Sequence, residues 1–319
     1  IMGQVALPEL KKFNYSGSLA TGSLAAGGTL GILIPPSIVL IIYAIMVEAN
    51  IASLFQAAFI PGILAALGYI LAIAIVVRIN PNAGPAGIRS ERTERLMALL
   101  DIWPVLLIFL LVMGGIYIGF FTPTEGAGVG TLGTFLIAVT RGKMRLKGMI
   151  EAILGTAKTT GMIFLILLGA SVFNAFLGFS ELPILAADFF KQSGLPPLTV
   201  LLMMLVMYIL LGFIMDSLSM ILLTVPIFWP IIAGLDFGLS PDDLKLWFGV
   251  ITLIVVEVGL ITPPVGLNVF VINSLAKDVP MIETFKGVIP FFISDGIRVA
   301  FIVGFPVLTL WLPHIIRLD

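Results

Sequence analysis

The apolar positions of this chain fall into long blocks separated by short polar punctuation, and two of the blocks carry the same break. Gly31-Ile32-Leu33-Ile34-Pro35-Pro36 interrupts one, and Gly259-Leu260-Ile261-Thr262-Pro263-Pro264 interrupts another 228 positions later. Proline removes an amide donor and clashes with the preceding turn, so two in succession unwind a helix. With about 20 residues needed to cross hydrocarbon, the pattern predicts a partial helix over 1–10, a broken span at 18–47 and a further span at 52–77. A polar linker, Asn80 to Arg95, precedes spans at 98–120 and 125–140, which enclose Thr122-Pro123-Thr124-Glu125. The basic loop Arg141 to Lys147 leads to 149–179 and a short interfacial piece at 183–193. The block 196–233 is interrupted halfway by Met215-Asp216-Ser217 and predicts a re-entrant hairpin; 244–275 holds the second break, and 288–312 closes the chain.

Composition turns these blocks into membrane spans. Hydrophobic residues make up 59% of the chain, charged residues 11%, and the mean hydropathy is +1.16, against roughly 25% charge in a soluble domain. The expectation is an all-α, polytopic membrane protein. In lipid, bare carbonyls are tolerated only where they line a protein-enclosed site. Broken helices in corresponding places of two halves point to a substrate and ion site near the midplane of a secondary transporter.

Charge distribution adds orientation. Threading the layout places Lys11, Lys12, Arg78, Arg89, Arg92, Arg95, Arg141, Lys143, Arg145, Lys147, Lys277 and Lys286 on one side, twelve of the 17 basic residues. An excess of Lys and Arg marks the cytoplasmic side. The other side receives Lys191, Lys245 and Arg317, while Lys158 and Arg298 fall within or near spans. The first broken helix is then entered from the cytoplasmic side and the hairpin 196–233 from the outside, so the halves form inverted repeats. A net charge of −1 and the lack of basic runs with interleaved aromatics indicate no nucleic-acid partner. With no cysteine and the single histidine, His314, in the final loop, disulfide, iron–sulfur and the usual zinc chemistry are excluded. No G-x-x-x-x-G-K-[ST] string occurs, so ATP has no motif through which to act, and Gly27 and Gly28 read as close-packing positions.

Paired sites between a hairpin tip and a helix break use carbonyls and hydroxyls to replace the hydration shell of a small hard cation. Gly31, Ile34 and Pro35 offer one such set of oxygens, and Ser217, Gly259, Thr262 and Val265 offer the other. Asn268, just past the second break, and Ser37, just past the first, are candidates for substrate contact, since amides and hydroxyls donate and accept. Asp216, a further candidate for substrate contact, lies in the middle of an apolar block, where an ionisable group is functional by default; as the residue before 217–231 it also suits a helix cap. Glu257 and Arg298 can form a buried pair, or Arg298 can meet a substrate carboxylate. Thr122 and Glu125 fit a capping box with Pro123 at the first helical position, and Ser240-Pro241-Asp242-Asp243 reads as another helix start.

Four ordered strings carry a family resemblance: G-T-L-G-I-L-I-P-P-S (28–37), T-P-T-E-G-A-G-V-G (122–130), M-D-S-L-S-M-I-L-L-T-V-P (215–226) and G-L-I-T-P-P-V-G-L-N (259–268). They resemble the large, DctM-like membrane subunit of tripartite ATP-independent periplasmic (TRAP) transporters. The resemblance implies an elevator-type, sodium-driven importer of organic acids, such as sialic acid or a C4-dicarboxylate, in the bacterial inner membrane. It implies sodium ions at the two Gly-Pro-Pro breaks, a periplasmic substrate-binding protein that delivers the solute, a small four-helix membrane subunit as partner, and surrounding membrane lipid. The family's first hairpin tip lies ahead of the segment resembling residues 1–10, so the chain reads as the later part of a longer polypeptide, with one sodium site half represented.

The expected organisation is 1–48 as the end of the first hairpin and first broken helix, 49–148 as connecting and scaffold helices, and 149–195 as an entry helix and interfacial piece. The second hairpin and second broken helix follow at 196–276, and a C-terminal scaffold helix at 277–319. The alternative is a non-transporting assembly or channel-like subunit. A membrane-embedded enzyme fits poorly, since Asp216, Glu257 and Asp295 form no catalytic cluster in the sequence.

Overall fold

The computed structural model describes residues 2–316 except 86, 88–91 and 143, and the regular structure over them is helical. Two compact units emerge, one from residues 1–87 and 176–315, the other from 88–175 with 316–319. The first unit opens with α1 (Met2–Lys12), α2 (Gly17–Leu33), α3 (Ile38–Val47) and α4 (Ile51–Ile79). Helices α5 (Arg92–Tyr117), α6 (Pro123–Thr140) and most of α7 (Leu146–Ser180) form the second unit. The first unit resumes with α8 (Leu182–Gln192), α9 (Pro197–Gly212), α10 (Ser217–Ala233), α11 (Pro241–Gly259), α12 (Leu267–Leu275), α13 (Met281–Gly304) and α14 (Val307–Ile315).

Helix limits follow local chemistry. Ser16, Asn50 and Ser240 accept the amides of Leu19, Ser53 and Asp243, and Thr122 with Glu125 completes both halves of the capping box ahead of α6. The prolines divide 18–47 into α2 and α3, bent by 45°. The block 244–275 becomes α11 and α12 around a longer break. The closing span differs from expectation. It begins earlier, at Met281, where Glu283 and Lys286 pair one turn apart at 2.7 Å, and it stops at Gly304. Pro306 keeps Phe305 out of the helical conformation (φ −131°, ψ 79°) and lacks the amide to continue, so the last turns form the separate helix α14. His314 therefore stands in a helix, not a loop, 2.7 Å from Asp243.

Among the described residues, Ile51–Ile79, Thr93–Tyr117, Leu146–Ser180 and Met281–Gly304 are long and apolar enough to cross a membrane, and the bent pair α2–α3 makes a fifth span. Leu99, Leu106 and Leu110 on α5, and Leu165, Leu168 and Val172 on α7, are exposed. Apolar surface on this scale fits a lipid environment. Within the second unit, α6 lies close to α5 because Gly126 leaves room for Ile116 and Val112. The guanidinium of Arg141 sits over the Trp103 ring at 5.2 Å, a favourable cation–π arrangement.

Helix α11 is the centre of the first unit. Every residue from Leu246 to Gly259 is buried, as expected of a helix apolar all round, and α2, α3, α4, α9, α10, α13 and α14 pack around it. Its polar groups are tied down at the far end: Trp247 Nε1 donates to the Ile302 carbonyl at 2.9 Å, and the Lys245 carbonyl accepts from Tyr43 at 2.9 Å. The two helices that follow the broken spans, α4 and α13, also meet. A Cβ on Gly68 would stand 2.5 Å from Ser294 Oγ, and Tyr69 lies edge-on to Phe291 at 5.1 Å. The Tyr69 hydroxyl donates to Asp295 Oδ2 at 2.7 Å and lies 3.1 Å from Thr29 Oγ1.

The tightest contact joins α2 to α13. A Cβ on Gly22 would come within 2.3 Å of the Gly287 carbonyl carbon, and one on Gly287 within 1.9 Å of the Ser18 carbonyl oxygen. Small residues let backbones approach this closely. Ser18 Oγ then reaches the Glu283 carbonyl (2.8 Å) and Thr21 Oγ1 reaches Thr284 Oγ1 (3.0 Å). Beyond α12, Lys11 hydrogen-bonds Asp278 and holds its carboxyl below the usual carboxylate range.

Gly287→Ala forces these backbones apart and is expected to cost about 1–3 kcal/mol by overpacking, read as a lowered unfolding temperature in detergent. Tyr69→Phe strips a buried carboxylate of a donor and is expected to cost about 1–3 kcal/mol, with unchanged stability in the same assay arguing against the Tyr69–Asp295 bond.

Candidate functional site

Each break is a local consequence of its proline pair. In an unbroken helix the Gly31 and Ile32 carbonyls would accept from residues 35 and 36, but both are proline and have no amide. The Ile34 amide still reaches the Leu30 carbonyl at 2.9 Å, and Ser37 restarts the chain as the cap of α3, accepting from Leu40 at 3.4 Å. Gly31 is exposed, Ile34 half-buried, and Pro35 and Ser37 buried. The Pro35–Pro36 peptide is cis, as is Pro263–Pro264 at the second break.

The second break is longer and more ordered. Pro263 and Pro264 deprive Gly259 and Leu260 of their regular donors, and the chain compensates with tighter bonds: Ile261 to Val258 at 3.2 Å and Thr262 to Gly259 at 3.1 Å. The Asn268 amide spans the gap to the Leu260 carbonyl at 3.1 Å. Gly266, at φ +60°, takes the left-handed turn into α12, a conformation that favours glycine. Thr262 Oγ1 donates to the Val258 carbonyl at 2.6 Å, so its proton is occupied and its lone pairs remain. Thr262 and Val265 are half-buried.

A hairpin made of α9 and α10 supplies the other wall, as the interruption at 215–217 predicts. Its ascending arm touches the break backbone to backbone. A Cβ on Gly212 would lie 2.6 Å from Gly259 Cα, and one on Gly259 would lie 2.9 Å from Gly212 Cα. Asp216 is the cap of α10, with Oδ2 accepting from the amides of Leu218 (3.1 Å) and Ser219 (3.2 Å) and Oδ1 accepting from Ser219 Oγ. Ser217, one residue on, turns inward and donates to Glu257 Oε1 at 2.5 Å. Four of the residues read as one oxygen set, Ser217, Gly259, Thr262 and Val265, therefore stand on the hairpin tip and the break it packs against.

The two broken helices also touch. Asn268 Nδ2 lies 3.8 Å from the place a Cβ would take on Gly28, so the amide of the second break faces the turn before the first. Arg298 stands apart from this group. Its Nη2 pairs with Asp295 Oδ1 at 2.8 Å, it is only 7% exposed, and it borders a cavity of about 430 Å³ with Leu71, Ile75, Ile297 and Phe301. No hydrogen bond or ion pair among the described residues joins it to Ser37, Asp216 or Asn268. The anticipated Glu257–Arg298 pair is replaced by two others, Ser217–Glu257 and Asp295–Arg298. The second has a sequence signal, since residues three apart share a helix face; the first joins positions 40 apart and has none.

Comparison with known proteins places this geometry. Residues 1–308 match the family model of the DctM component of tripartite ATP-independent periplasmic transporters. The C4-dicarboxylate TRAP transporter large permease protein DctM of Pseudomonas aeruginosa is 33% identical over 314 residues, covering 98% of this chain and 71% of that protein. The sialic acid TRAP transporter large permease protein SiaM of Vibrio cholerae is 31% identical over 316 residues, covering 98% and 72%. The sialic acid TRAP transporter permease protein SiaT of Haemophilus influenzae is 29% identical over 317 residues, covering 99% of this chain and 50% of that protein. The multi-pass architecture, the two proline breaks and matches of this extent make the chain a member of the DctM family, the large permease component of tripartite ATP-independent periplasmic transporters.

Proposed function

We propose that this chain imports a small organic acid across the bacterial inner membrane by sodium coupling. The substrate class is a carboxylate such as a C4-dicarboxylate or a sialic acid, as the names of the relatives indicate. A periplasmic substrate-binding protein delivers the solute, and a small four-helix membrane subunit completes the complex. The observation that carries the reading is the second break, where two carbonyls have lost their regular donors and a hairpin tip is seated on the gap at Gly212–Gly259. A cation without its water needs acceptors alone. Thr262 meets that need because its hydroxyl proton is committed to Val258.

Sodium at Gly259, Thr262, Val265 and Ser217 is the proposed coupling ion of this half, and Gly31, Ile34 and Pro35 contribute the oxygens of the other. Asn268 and Ser37 are the proposed substrate contacts, one per break. Asp216 acts through its cap, by fixing the hairpin tip that presents Ser217. Arg298, held by Asp295, requires release from that pair before it can receive a substrate carboxylate. Both breaks and the second hairpin belong to one compact unit, which supports carriage of the site as a body in an elevator mechanism.

In proteoliposomes containing the complete complex and its binding protein, uptake of labelled substrate is expected under an inward sodium gradient and is expected to stop when choline replaces sodium. Undiminished uptake in choline contradicts sodium coupling. Thr262→Val keeps the shape but loses the oxygen, and is expected to raise half-saturating sodium by about tenfold, equivalent to about 1.4 kcal/mol; an unchanged value removes Thr262 from the site.

A further inference from the structure

Beside the proposed oxygens of the second break lies a buried carboxyl group that makes no ion pair among the described residues. Two acidic side chains are buried in the first unit, Asp295 at 1% exposure and Glu257 at 2%. Asp295 is offset in charge by Arg298, 2.8 Å from Oδ1, and accepts the Tyr69 hydroxyl on Oδ2 at 2.7 Å, although Oδ1 itself accepts no hydrogen bond. Glu257 has only the Ser217 hydroxyl, on Oε1; Oε2 is buried with no hydrogen-bond partner. A buried polar group left partly unpaired is costly. Its place in the chain is equally specific, two residues before Gly259, on the last turn of α11 before the break. The equivalent position of the first repeat, two residues before Gly31, holds the neutral Thr29, which engages Tyr69. The carboxylate is therefore particular to the second break.

The geometry points to Glu257 as a positioning residue for the second cation site, acting through Ser217. A serine hydroxyl rotates freely and can offer a bound cation either a lone pair or a repulsive proton. By accepting that proton at 2.5 Å, Glu257 locks the rotor with the lone pairs turned away from itself. Orientation by an outer partner of this kind tunes a metal ligand. The backbone performs the same service for Thr262, whose proton goes to Val258. Ser217, on the opposite wall, depends on a side chain for it. The same bond fastens the hairpin tip to α11, so cation affinity and closure of the tip share one contact.

This inference rests on the sodium reading of the second break, and the test separates the two. The full chain, in lipid nanodiscs, is titrated with sodium chloride against choline chloride at constant ionic strength, and half-saturating sodium is read from the rise in unfolding temperature. Ser217→Ala is expected to raise it about tenfold. Glu257→Leu, which cannot accept the proton, is expected to match that loss, and the double variant to lose no more than either single one, because coupled residues are not additive. Glu257→Gln keeps an acceptor for the Ser217 proton, folds with minimal change of shape, and is expected to hold half-saturation within about threefold of wild type. A purely structural Glu257 would lower the unfolding temperature in choline and sodium alike and leave half-saturation unmoved, which overturns the inference. Effects of Ser217→Ala and Glu257→Leu that multiply independently overturn it as well. A wild-type chain with no sodium response sinks the underlying reading instead, whereas loss in Ser217→Ala with Glu257→Leu within twofold of wild type sinks this inference alone.

Discussion

Two consecutive prolines cannot donate amide hydrogen bonds, and in a membrane the carbonyls they orphan must find shelter inside the protein. Much of the first unit follows from that constraint. At 263–264 the chain tightens into short bonds at 258–262 and reaches across the gap from Asn268 to Leu260. At 35–36 it restarts through a serine cap. What these local repairs leave open, neighbouring elements cover. The hairpin α9–α10 seats its tip against Gly259, and α12 turns Asn268 toward Gly28 of the other broken helix. A lone helix with such a break would be unstable in lipid; two in contact, one of them containing α11 with its buried run from Leu246 to Gly259, enclose each other's weak points.

Close backbone approach is the means by which this enclosure is achieved. Gly212 on Gly259 and Gly22 on Gly287 bring main chains together at distances no Cβ would permit. Hydrogen bonds between side chains and backbone then lock the contacts, as with Ser18 on Glu283. Between lipid-facing helices there is no hydrophobic driving force to hold a loose contact, so packing and interhelical hydrogen bonds carry the association. The polar interior is arranged along the same lines: Thr29, Tyr69, Asp295 and Arg298 link α2, α4 and α13, while Ser217 and Glu257 link the hairpin to α11.

Much of this was legible in the residues. The Gly-x-x-x-Pro-Pro pair located both breaks because proline acts on its own turn, and the polar interruption at 215–217 located the hairpin tip for an equally local reason. Asp216 as a cap and the Thr122–Glu125 box are contacts over two or three residues, which spacing alone can reveal. Pro306 offered the same kind of signal, but the apolar run 288–312 concealed it, and the single span divides into α13 and α14. The choice of partners for Glu257 and Arg298 was beyond sequence pattern. Both lie in apolar spans and carry opposite charge, yet pairing depends on which faces α10, α11 and α13 present to one another. Gly22 and Gly287 were hidden likewise, since glycine occurs 33 times and only the crossing of two helices distinguishes these from the rest.

The central claim is that the second break and the hairpin tip form one cation-binding unit. Hydrogen–deuterium exchange of the full chain in nanodiscs, compared in sodium and in choline at equal ionic strength, tests it directly. The account predicts that sodium slows exchange together at 212–219 and at 259–268, the two walls of the site. Exchange at both segments that is the same in either salt would contradict it.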